Sequence, residues 1–312
     1  MVIQDQDADH RRGVVLAVVD IGTNTLKFTV ARCFSDGSIV DLEAQAETVR
    51  IGAGIETTGK IDPARAQRAV EALKAFAAIA QKHGAIECAG VATETLRVAS
   101  NGEDLLARIA AETSWKIGVI SGTEEARLTF VGLRDLLPEH GRVCIVDIGG
   151  GSTEWISAEH GEMCWSKSIP IGSGRLADRF FQSDPPGQLA IATTIGTATD
   201  VFAEAVDRDY RQGDALRLSG GNGQFIDKLR LLLGFGDMLN GNVVGRILEF
   251  LAQEPAVNVA KMLGIAEERA RVLPAGVAIA AAGIKASEPT DVASVPSGIR
   301  IGLLRELAGK YY

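Results

Sequence analysis

The stretch V-C-I-V-D-I-G-G-G-S-T-E, residues 143–154, decides the fold that this sequence predicts. An apolar run that ends on Asp147 is typical of a buried strand with a carboxylate at its end. Three consecutive glycines, residues 149–151, follow the strand. Because glycine lacks a Cβ atom, the N–H groups of such a turn can form a concave nest for an anion. With Asp147 and Glu154 on either side of the nest, the stretch predicts a site for a phosphate and a hard cation.

A second copy of this pattern lies near the N-terminus. Residues 14–25 read V-V-L-A-V-V-D-I-G-T-N-T, so an apolar run again ends on Asp-Ile-Gly, here at Asp20, before small polar side chains. A three-residue match arises easily by chance, but this match extends into the preceding strand and the following turn. Internal similarity of this kind predicts two related halves that each offer a strand and a turn to a shared cleft.

The length and composition are typical of a globular protein with two domains. Of the 312 residues, 46% are hydrophobic and 23% are charged, and the formal net charge is −8. That charge disfavours the coating of nucleic acid, which depends on many Lys and Arg contacts that release counterions. It favours a small or short polyanion that glycine turns and a metal hold locally.

Cysteine usage and hydropathy favour a cytoplasmic enzyme or binding protein. The four cysteines are scattered without a C-x-x-C pair, which argues against disulfides and a zinc site. Residues 1–13 lack the apolar core of a signal peptide. Residues 272–284, the most apolar late segment, contain Pro274 and are expected to be too short to span a bilayer. The four histidines lie in polar or turn contexts, so a His-based relay or metal site has little support.

Apolar patterns and turn residues predict the remaining elements. Strands are expected at residues 26–32, 39–51, 86–91, 115–120, 153–157 and 163–169, and again from residue 216. Helices are expected at residues 62–84, from residue 121 onward and at residues 171–181. A long helix that follows residue 187 is expected to end at about residue 205, and two more are expected at residues 267–286 and 299–307. We expect residues 1–135 and the C-terminal helix 299–312 to form one domain, and residues 136–298 to form the other.

Two further glycine stretches have weaker interpretations. G-I-E-T-T-G-K, residues 54–60, nearly satisfies the P-loop pattern, but Ile61 follows where a Ser or Thr would bind magnesium, and no apolar strand leads into the stretch. We therefore expect a flexible turn there. L-R-L-S-G-G-N-G, residues 216–223, is a third strand with a glycine turn, which either contacts phosphate or only connects a strand to a helix.

Two charged positions have both a functional and a structural interpretation. Arg97 follows a strand end, where its planar guanidinium could clamp a phosphate, or it is a solvated arginine at a helix start. Glu124 and Glu125 fall in the first turn of a helix that follows S-G-T at residues 121–123. The helix dipole favours acidic residues there, while one of the two could be a general base. The residues alone leave both alternatives open.

Five motifs together resemble the exopolyphosphatase and guanosine pentaphosphate phosphohydrolase family, which belongs to the superfamily of actin, sugar kinases and heat-shock chaperones. They are D-I-G-T-N-T at 20–25, A-T-E-T-L-R at 92–97, S-G-T-E-E-A-R-L at 121–128, D-I-G-G-G-S-T-E at 147–154 and P-I-G-S-G-R-L at 170–176. Their order and spacing match over nearly the whole chain. The resemblance implies an α/β fold with two ribonuclease-H-like domains, as in actin-like ATPases, and an active site in the interdomain cleft.

The resemblance also implies roles for residues at matching positions. Glu125 corresponds to the catalytic glutamate, Asp147 and Glu154 correspond to metal-associated carboxylates, and Asp20 is implied to contact the metal through water. The implied cofactor is Mg²⁺, with other divalent cations also accepted. The positions implied to contact phosphate are Thr23, Asn24, Thr25, Arg97, Gly149, Gly150, Gly151, Ser152 and Thr153.

The implied activity is that of an exopolyphosphatase, which releases terminal orthophosphate from inorganic polyphosphate by metal-assisted attack of water. Two departures from the family pattern stand out. The turn at residues 219–223 lacks threonines, and the chain stops after two domains, where long members add a helical region that grips long polymers. Short polyphosphate is therefore the expected substrate.

Other activities compatible with the same motifs are hydrolysis of guanosine pentaphosphate to tetraphosphate, phosphotransfer from ATP as in sugar kinases, and non-catalytic sensing of polyphosphate or alarmone nucleotides. The resemblance leaves a homodimer open. Neither nucleic acid nor a membrane is expected as a partner.

Overall fold

The computed structural model describes residues 13–296 and 298–312, which form an α/β protein built on two five-stranded sheets. The strands are β1 Val14–Ile21, β2 Thr25–Cys33, β3 Ile39–Thr48, β4 Glu87–Ala92, β5 Lys116–Val119, β6 Arg142–Ile148, β7 Thr153–Glu159, β8 Glu162–Ile169, β9 Ala215–Ser219 and β10 Asp291–Ser294. The helices are α1 Ile55–Thr58, α2 Pro63–Lys82, α3 Glu94–Val98, α4 Gly102–Glu112, α5 Gly122–Leu133, α6 Ser173–Phe180, α7 Gly187–Ala205, α8 Arg208–Arg211, α9 Gly220–Leu232, α10 Gly241–Leu251, α11 Ala256–Leu263, α12 Glu267–Ser287 and α13 Ile299–Ala308. The predicted α/β class is confirmed.

Both sheets have the same strand order. The first is β3-β2-β1-β4-β5, and the second is β8-β7-β6-β9-β10. In each sheet the first three strands pair antiparallel. The fourth strand pairs parallel with the central strand, which is β1 or β6, and the fifth pairs parallel with the fourth. We call β1–β5 with the elements between them the first lobe, and β6–β10 with the elements between them the second lobe. The repeated order confirms the two related halves that the sequence predicted.

The two hairpins place the Asp-Ile-Gly turns at equivalent positions. Asp20 lies opposite Lys27 across β1 and β2, and Asp147 lies opposite Glu154 across β6 and β7. The residues that precede the two aspartates are almost completely buried, which explains why each strand reads as a continuous apolar run. The chain therefore brings one aspartate to the end of the central strand of each sheet.

Each lobe has its own hydrophobic core. In the first lobe, Phe28 stacks on Phe76 with ring centroids 5.0 Å apart, and Trp115 packs edge-on against Phe28. In the second lobe, Trp155 packs edge-on against Phe202 of α7, with α12 in the same core. Buried aromatic pairs add to the stabilisation that comes from burying apolar area. Each glycine turn therefore follows a strand that is packed against the hydrophobic core of its lobe.

Helices α5 and α13 pack against each other where the lobes meet. The apolar face of α5, including Phe130, packs on the second sheet, whereas that of α13, including Leu304, packs on the first. Glycine allows close contact between their backbones, since a Cβ atom on Gly132 would lie 1.9 Å from the carbonyl oxygen of Gly298. The predicted boundary near Asp135 follows α5, and the domain limits stay a prediction.

The expectations about targeting and membranes have different outcomes. The predicted absence of a signal peptide concerns residues 1–12, which lie outside the described residues. The prediction for His10 lies there as well. Among the residues that the structure describes, α12 is long and apolar enough to cross a bilayer by length and composition, so the expectation that this segment is too short is wrong. In its most apolar window, 72% of the residues are buried inside the protein. Core helices of globular proteins pass the same test, so α12 is weak evidence for a membrane span.

Sequence patterns missed several elements. Helices α4, α8, α10 and α11 and strand β10 had no prediction. The glycines of residues 220–223 begin α9 instead of forming a separate turn. The stretch 54–60 forms the one-turn helix α1, so the expectation of a flexible turn there is wrong. Gly54 and Gly59 flank α1 with left-handed φ angles of 76° and 65°. These angles, which glycine adopts without steric cost, turn the chain into and out of the helix.

Candidate active site

A cleft between the lobes contains both glycine turns. Its volume is about 660 Å³, and residues from both Asp-Ile-Gly turns line it. The turns approach closely, because a Cβ atom on Gly150 would lie 2.7 Å from Asn24 Nδ2. Asn24 Nδ2 also donates a hydrogen bond to Ser173 Oγ of the second lobe at 3.2 Å. Here the wall of the cleft consists of glycine backbone and small polar side chains from both lobes.

The central strands end on aspartates that line this cleft. Asp20 is 7% exposed, and its Oδ1 has no hydrogen-bond partner among the described residues. Asp147 Oδ2 accepts a hydrogen bond from Thr129 Oγ1 at 3.2 Å. Burial raises the pKa of both Asp20 and Asp147, because it removes water from the charged form. A cation beside the two aspartates would offset this cost of burial.

Glu125 and Glu154 lie in the same cleft as the two aspartates, and the cleft lining also includes Glu47, Glu267 and Glu268. Glu154 is 2% exposed, and its Oε1 accepts a hydrogen bond from Ser168 Oγ at 2.6 Å. Burial, together with the charge of Asp147, raises the pKa of Glu154 to about 8. Burial, followed by repulsion from Glu154, raises the pKa of Glu125 well above its usual range. Carboxyl groups with raised pKa values in a cleft are candidates for proton transfer or cation binding.

Arg97 fixes the orientation of Glu125. Its Nη1 donates to Glu125 Oε2 at 3.0 Å and to the carbonyl oxygen of Ile120 at 2.7 Å. The neighbouring Glu124 does not line the cleft and pairs with Arg127 instead. The side chain of Glu125 is 12% exposed and that of Glu124 is 37% exposed. The geometry thus separates two acidic residues that the sequence left equivalent.

Four basic side chains that the sequence analysis did not select also line the cleft: Lys27, Arg68, Arg269 and Arg300. Burial lowers the pKa of Lys27, while the charge of Asp20 opposite it raises that pKa. Hydrogen bonds to β2 hold Arg300 in place. Arg269 Nη2 donates to Asn222 Oδ1 at 2.7 Å, and its Nη1 is buried with no partner among the described residues. The cleft therefore offers positive charge to a polyanion as well as carboxylates to a cation.

A comparison with protein families identifies the family of this chain. The model of the Ppx/GppA phosphatase family matches residues 30–311. The chain belongs to the Ppx/GppA phosphatase family. The resemblance that the motifs predicted is thereby confirmed. The matched residues include the second lobe and the part of the first lobe that follows its Asp-Ile-Gly turn.

Individual members of the Ppx/GppA family are similar over most of the chain. Exopolyphosphatase 1 of Mycobacterium leprae is 29% identical over 299 residues, which cover 93% of this chain and 88% of that protein. The guanosine-5'-triphosphate,3'-diphosphate pyrophosphatase of Aeromonas hydrophila is 26% identical over 298 residues, covering 94% of this chain and 59% of that protein. The structure of an exopolyphosphatase from Cytophaga hutchinsonii has a TM-score of 0.84 at 23% identity, with coverage of 95% and 98%, which supports the fold.

In this member of the Ppx/GppA family, most of the predicted site residues lie together. Those that line the cleft are Asp20, Thr23, Asn24, Thr25, Glu125, Asp147, Gly149, Gly150, Gly151, Ser152 and Glu154. Arg97 and Thr153 do not line it. Arg97 pairs with Glu125, and Thr153 is fully buried, with its Oγ1 donating to the carbonyl oxygen of Ile171 at 2.6 Å. The roles of these residues toward metal and phosphate stay predictions.

A hydrated divalent cation fits the acidic side of the cleft. Within residues 13–296 and 298–312, no three His, Cys, Asp or Glu side chains come close enough together to chelate a metal ion. Mg²⁺ keeps several waters and typically uses one or two carboxylates plus phosphate oxygens. Asp147, with Glu154 opposite it in the hairpin, and the unpartnered Oδ1 of Asp20 supply oxygen donors of this kind. The residues present therefore fit a cation that arrives with water and phosphate.

The pKa of Glu154 predicts how stability depends on pH in the metal-free protein. An acid whose pKa is raised on folding binds its proton more tightly in the folded state, so the free energy of unfolding falls as pH rises through that interval. For Glu154 the interval runs from 4.5 to about 8. Chemical denaturation across this range should show the decline, and Glu154→Gln should make it shallower. A pH dependence that is identical in the two proteins would contradict the assigned pKa shift.

Proposed function

We propose that the chain is an exopolyphosphatase that releases terminal orthophosphate from inorganic polyphosphate, with Mg²⁺ or another divalent cation as its cofactor. The observation that carries this proposal is one cleft in which two glycine turns from opposite lobes lie with Glu125, whose carboxylate Arg97 orients. Similarity to exopolyphosphatase 1 of M. leprae over 93% of the chain supports the reaction class.

The two turns hold the terminal phosphates of the substrate. Main-chain N–H groups of Gly150 and Gly151 form the nest, whereas the Gly149 N–H donates to the carbonyl oxygen of Ser152 at 3.0 Å. The side chains of Asn24 and Ser152 add polar contacts. Lys27 and Arg300 provide positive charge for the phosphate oxygens that follow. A phosphoanhydride already has a competent leaving group, so positioning and charge neutralisation carry most of the catalysis. The chain supplies both in one cleft.

Glu125 orients and deprotonates the attacking water. Because Arg97 bonds to Oε2 of Glu125, we assign Oε1 as the oxygen that accepts the proton. The raised pKa makes this carboxylate a stronger base than an exposed glutamate. General-base catalysis of this kind contributes about 10²–10⁴-fold in rate. The Arg97 contact keeps the carboxylate oriented during the reaction.

Asp147 and Glu154 would hold the divalent cation on the acidic side of the cleft, and Asp20 would contact it through water. When bound, the cation neutralises charge on the phosphate oxygens and orients the terminal phosphate. Without it, the carboxylates of the cleft would face a polyanion, with Lys27, Arg68, Arg269 and Arg300 as the positive charges that offset the repulsion. This balance of charge explains why we expect the activity to depend on a cation.

Phosphate release from polyphosphates of defined length, with and without magnesium, tests the proposal. We expect magnesium-dependent release of orthophosphate together with chains shortened one phosphate at a time. Comparing short oligomers with long chains tests the expected preference for short substrates. ADP with a phosphorylated acceptor as products of ATP would instead indicate a phosphotransferase. Polyphosphate binding without any released phosphate would indicate a sensor.

Hydrolysis of guanosine pentaphosphate is the second candidate, because the cleft also has surfaces suited to a nucleoside. Phe225 and the stretch 264–266 line it, and the guanidinium of Arg269 lies 5.2 Å from the ring centroid of Phe225. Aromatic rings and arginine planes are common stacking partners for nucleobases. The A. hydrophila relative is named for a guanosine nucleotide. These features support a nucleoside subsite within the same cleft.

Replacing Phe225 with Ala separates the two candidates. We expect about a tenfold loss of kcat/KM for guanosine pentaphosphate, because stacking of a base on an aromatic ring is worth about 1–3 kcal/mol. Polyphosphate has no base, so Phe225→Ala should hydrolyse it at the same rate as the unmodified protein. Phe235→Ala is the matched control, since Phe235 also packs against an arginine, Arg246, but does not line the cleft. An equal loss on both substrates in Phe225→Ala would contradict a nucleoside subsite.

A further inference from the structure

A second, smaller cavity lies beside the phosphate turns. We call it the rear cavity; its volume is about 240 Å³, and α1 and α6 supply most of its walls. Its rim residues are Gly54, Glu56, Thr57, Arg175, Asp178 and Arg179. Thr23 and Gly151 line both the rear cavity and the cleft. The two spaces therefore meet at the turns that are proposed to hold the terminal phosphate.

The partition between the two spaces is thin and contains a buried carboxylate. Glu94 is 7% exposed and lines the rear cavity. A Cβ atom on Gly151 would lie 2.0 Å from Glu94 Oε2 and 2.7 Å from Thr23 Oγ1, so these atoms are packed directly against the glycine turn. At this point Gly151, Thr23 and Glu94 form the partition between the cleft and the rear cavity.

An arginine from the opposite lobe holds this carboxylate in place. Arg175 Nη2 lies 2.6 Å from Glu94 Oε1, and Arg175 Nε lies 2.6 Å from Glu56 Oε1. Arg175 belongs to α6 of the second lobe, whereas the two glutamates belong to the first lobe. A second pair between the lobes, Arg50 with Asp178 at 2.6 Å, lies next to it. Ion pairs between the two lobes therefore line the rear cavity.

We propose that the rear cavity is the exit and a transient binding site for the orthophosphate product, with the Glu94–Arg175 pair as its gate. This inference rests on the proposed function. After cleavage, the phosphate lies at the glycine turns while the shortened chain still occupies the cleft in front of it. The negative charge of the product repels Glu94 and attracts Arg175. Exchange of Glu94 for phosphate as the partner of Arg175 opens the partition, so product leaves without release of the polymer.

The stretch G-I-E-T-T-G-K gains a role in this arrangement. It contributes Gly54, Ile55, Glu56 and Thr57 to the rear cavity and none of its residues to the cleft. The stretch is therefore not a loop that cradles the substrate's phosphates. It is one wall of the path that the product takes after hydrolysis.

Blocking the rear cavity without altering the cleft tests the exit. Thr57 is exposed on α1, so Thr57→Trp fills the cavity from its rim, and Thr57→Val is the control that preserves size. Arg179→Glu, from the opposite rim, opposes the passage of phosphate by charge. After rapid mixing with substrate, acid quench measures all orthophosphate that has been formed, whether bound or free. A fluorescent phosphate sensor measures the free orthophosphate over the same time range. Circular dichroism verifies that each variant is folded.

With long polyphosphate, we expect Thr57→Trp and Arg179→Glu to release phosphate about tenfold more slowly than Thr57→Val, since product departure limits turnover when its path is closed. Acid quench should still show that the first cleavage occurs at the control rate. The phosphate from this cleavage, about one per active site, should stay bound to the protein. With tripolyphosphate, whose remaining diphosphate can leave through the cleft, release should match the control.

Free-phosphate release at the control rate in both folded variants would overturn the exit while leaving the proposed function intact. Failure of the proposed function looks different. In that case acid quench would detect no phosphate in the unmodified protein, and both inferences would fall together.

Discussion

Glu125→Gln is expected to lower phosphate release from polyphosphate by about 10²–10⁴-fold, the contribution of a positioned general base. The amide keeps the size of the side chain, and its oxygen can still accept the hydrogen bond from Arg97 that holds the carboxylate. What it removes is the ability to take a proton from water. Circular dichroism and the melting temperature should stay close to those of the unmodified protein, so the loss is one of chemistry.

The adjacent residue provides a matched control for this substitution. Glu124→Gln changes the same atoms one position earlier in α5, but Glu124 pairs with Arg127 and does not line the cleft. Its turnover should stay within about twofold of the unmodified protein, because surface substitutions change little. Unchanged turnover in Glu125→Gln would reassign the base, with Glu154 as the next candidate in the cleft.

Asp147→Asn is expected to lower turnover at least about 10²-fold, because a catalytic metal supplies several kcal/mol of charge stabilisation. Asp147 ends the central strand of the second lobe, and burial raises its pKa. Asparagine keeps the shape of the side chain but removes the charge that favours a cation. The measurement is phosphate release over a magnesium titration, together with calorimetric magnesium binding to the free protein.

The folded state should survive the loss of Asp147, since replacing a buried carboxylate by an amide removes a cost of desolvation. A melting temperature equal to or above that of the metal-free unmodified protein is therefore expected. Asp200→Asn, on the exposed side of α7, is the control for removing a single negative charge. An Asp147→Asn protein with unchanged turnover and magnesium dependence would remove Asp147 from the proposed metal site.

The sequence predicted the parts of the site that are local in the chain. An apolar run, an aspartate and a small-residue turn identify both central strands, because burial on both faces leaves a continuous hydrophobic pattern. The same repeat could also have identified Lys27. Glu154 lies opposite Asp147 in its hairpin, and Lys27 lies opposite Asp20 at the equivalent position. One hairpin thus pairs an aspartate with an acid, and the other pairs an aspartate with a base.

Residues that reach the site through tertiary packing could not be predicted in this way. Arg269 and Arg300 come from α12 and α13, far from either glycine turn in the sequence, and no local pattern links them to the cleft. The place of Arg97 after a strand left a phosphate contact and a solvated helix start as alternatives, and the phosphate role was implied by the family resemblance. Only the packing of α3 beside α5 determines that its guanidinium reaches Glu125. Side-chain direction at a strand end depends on neighbours that a linear pattern does not contain.

The contact between α5 and α13 constrains how the lobes can move. The chain passes from the first sheet to α5 on the second, and it later returns from the second sheet to α13 on the first, so two covalent tethers join the lobes. These tethers touch at backbone level, because Cβ atoms on Gly132 and Gly302 would lie 1.9 Å and 2.1 Å from the carbonyl oxygens of Gly298 and Leu128. Such a crossing permits a swing about one hinge axis but resists separation. We therefore expect the cleft to open by rotation about this contact, so the backbone packing of α5 against α13 limits how far the two lobes can part.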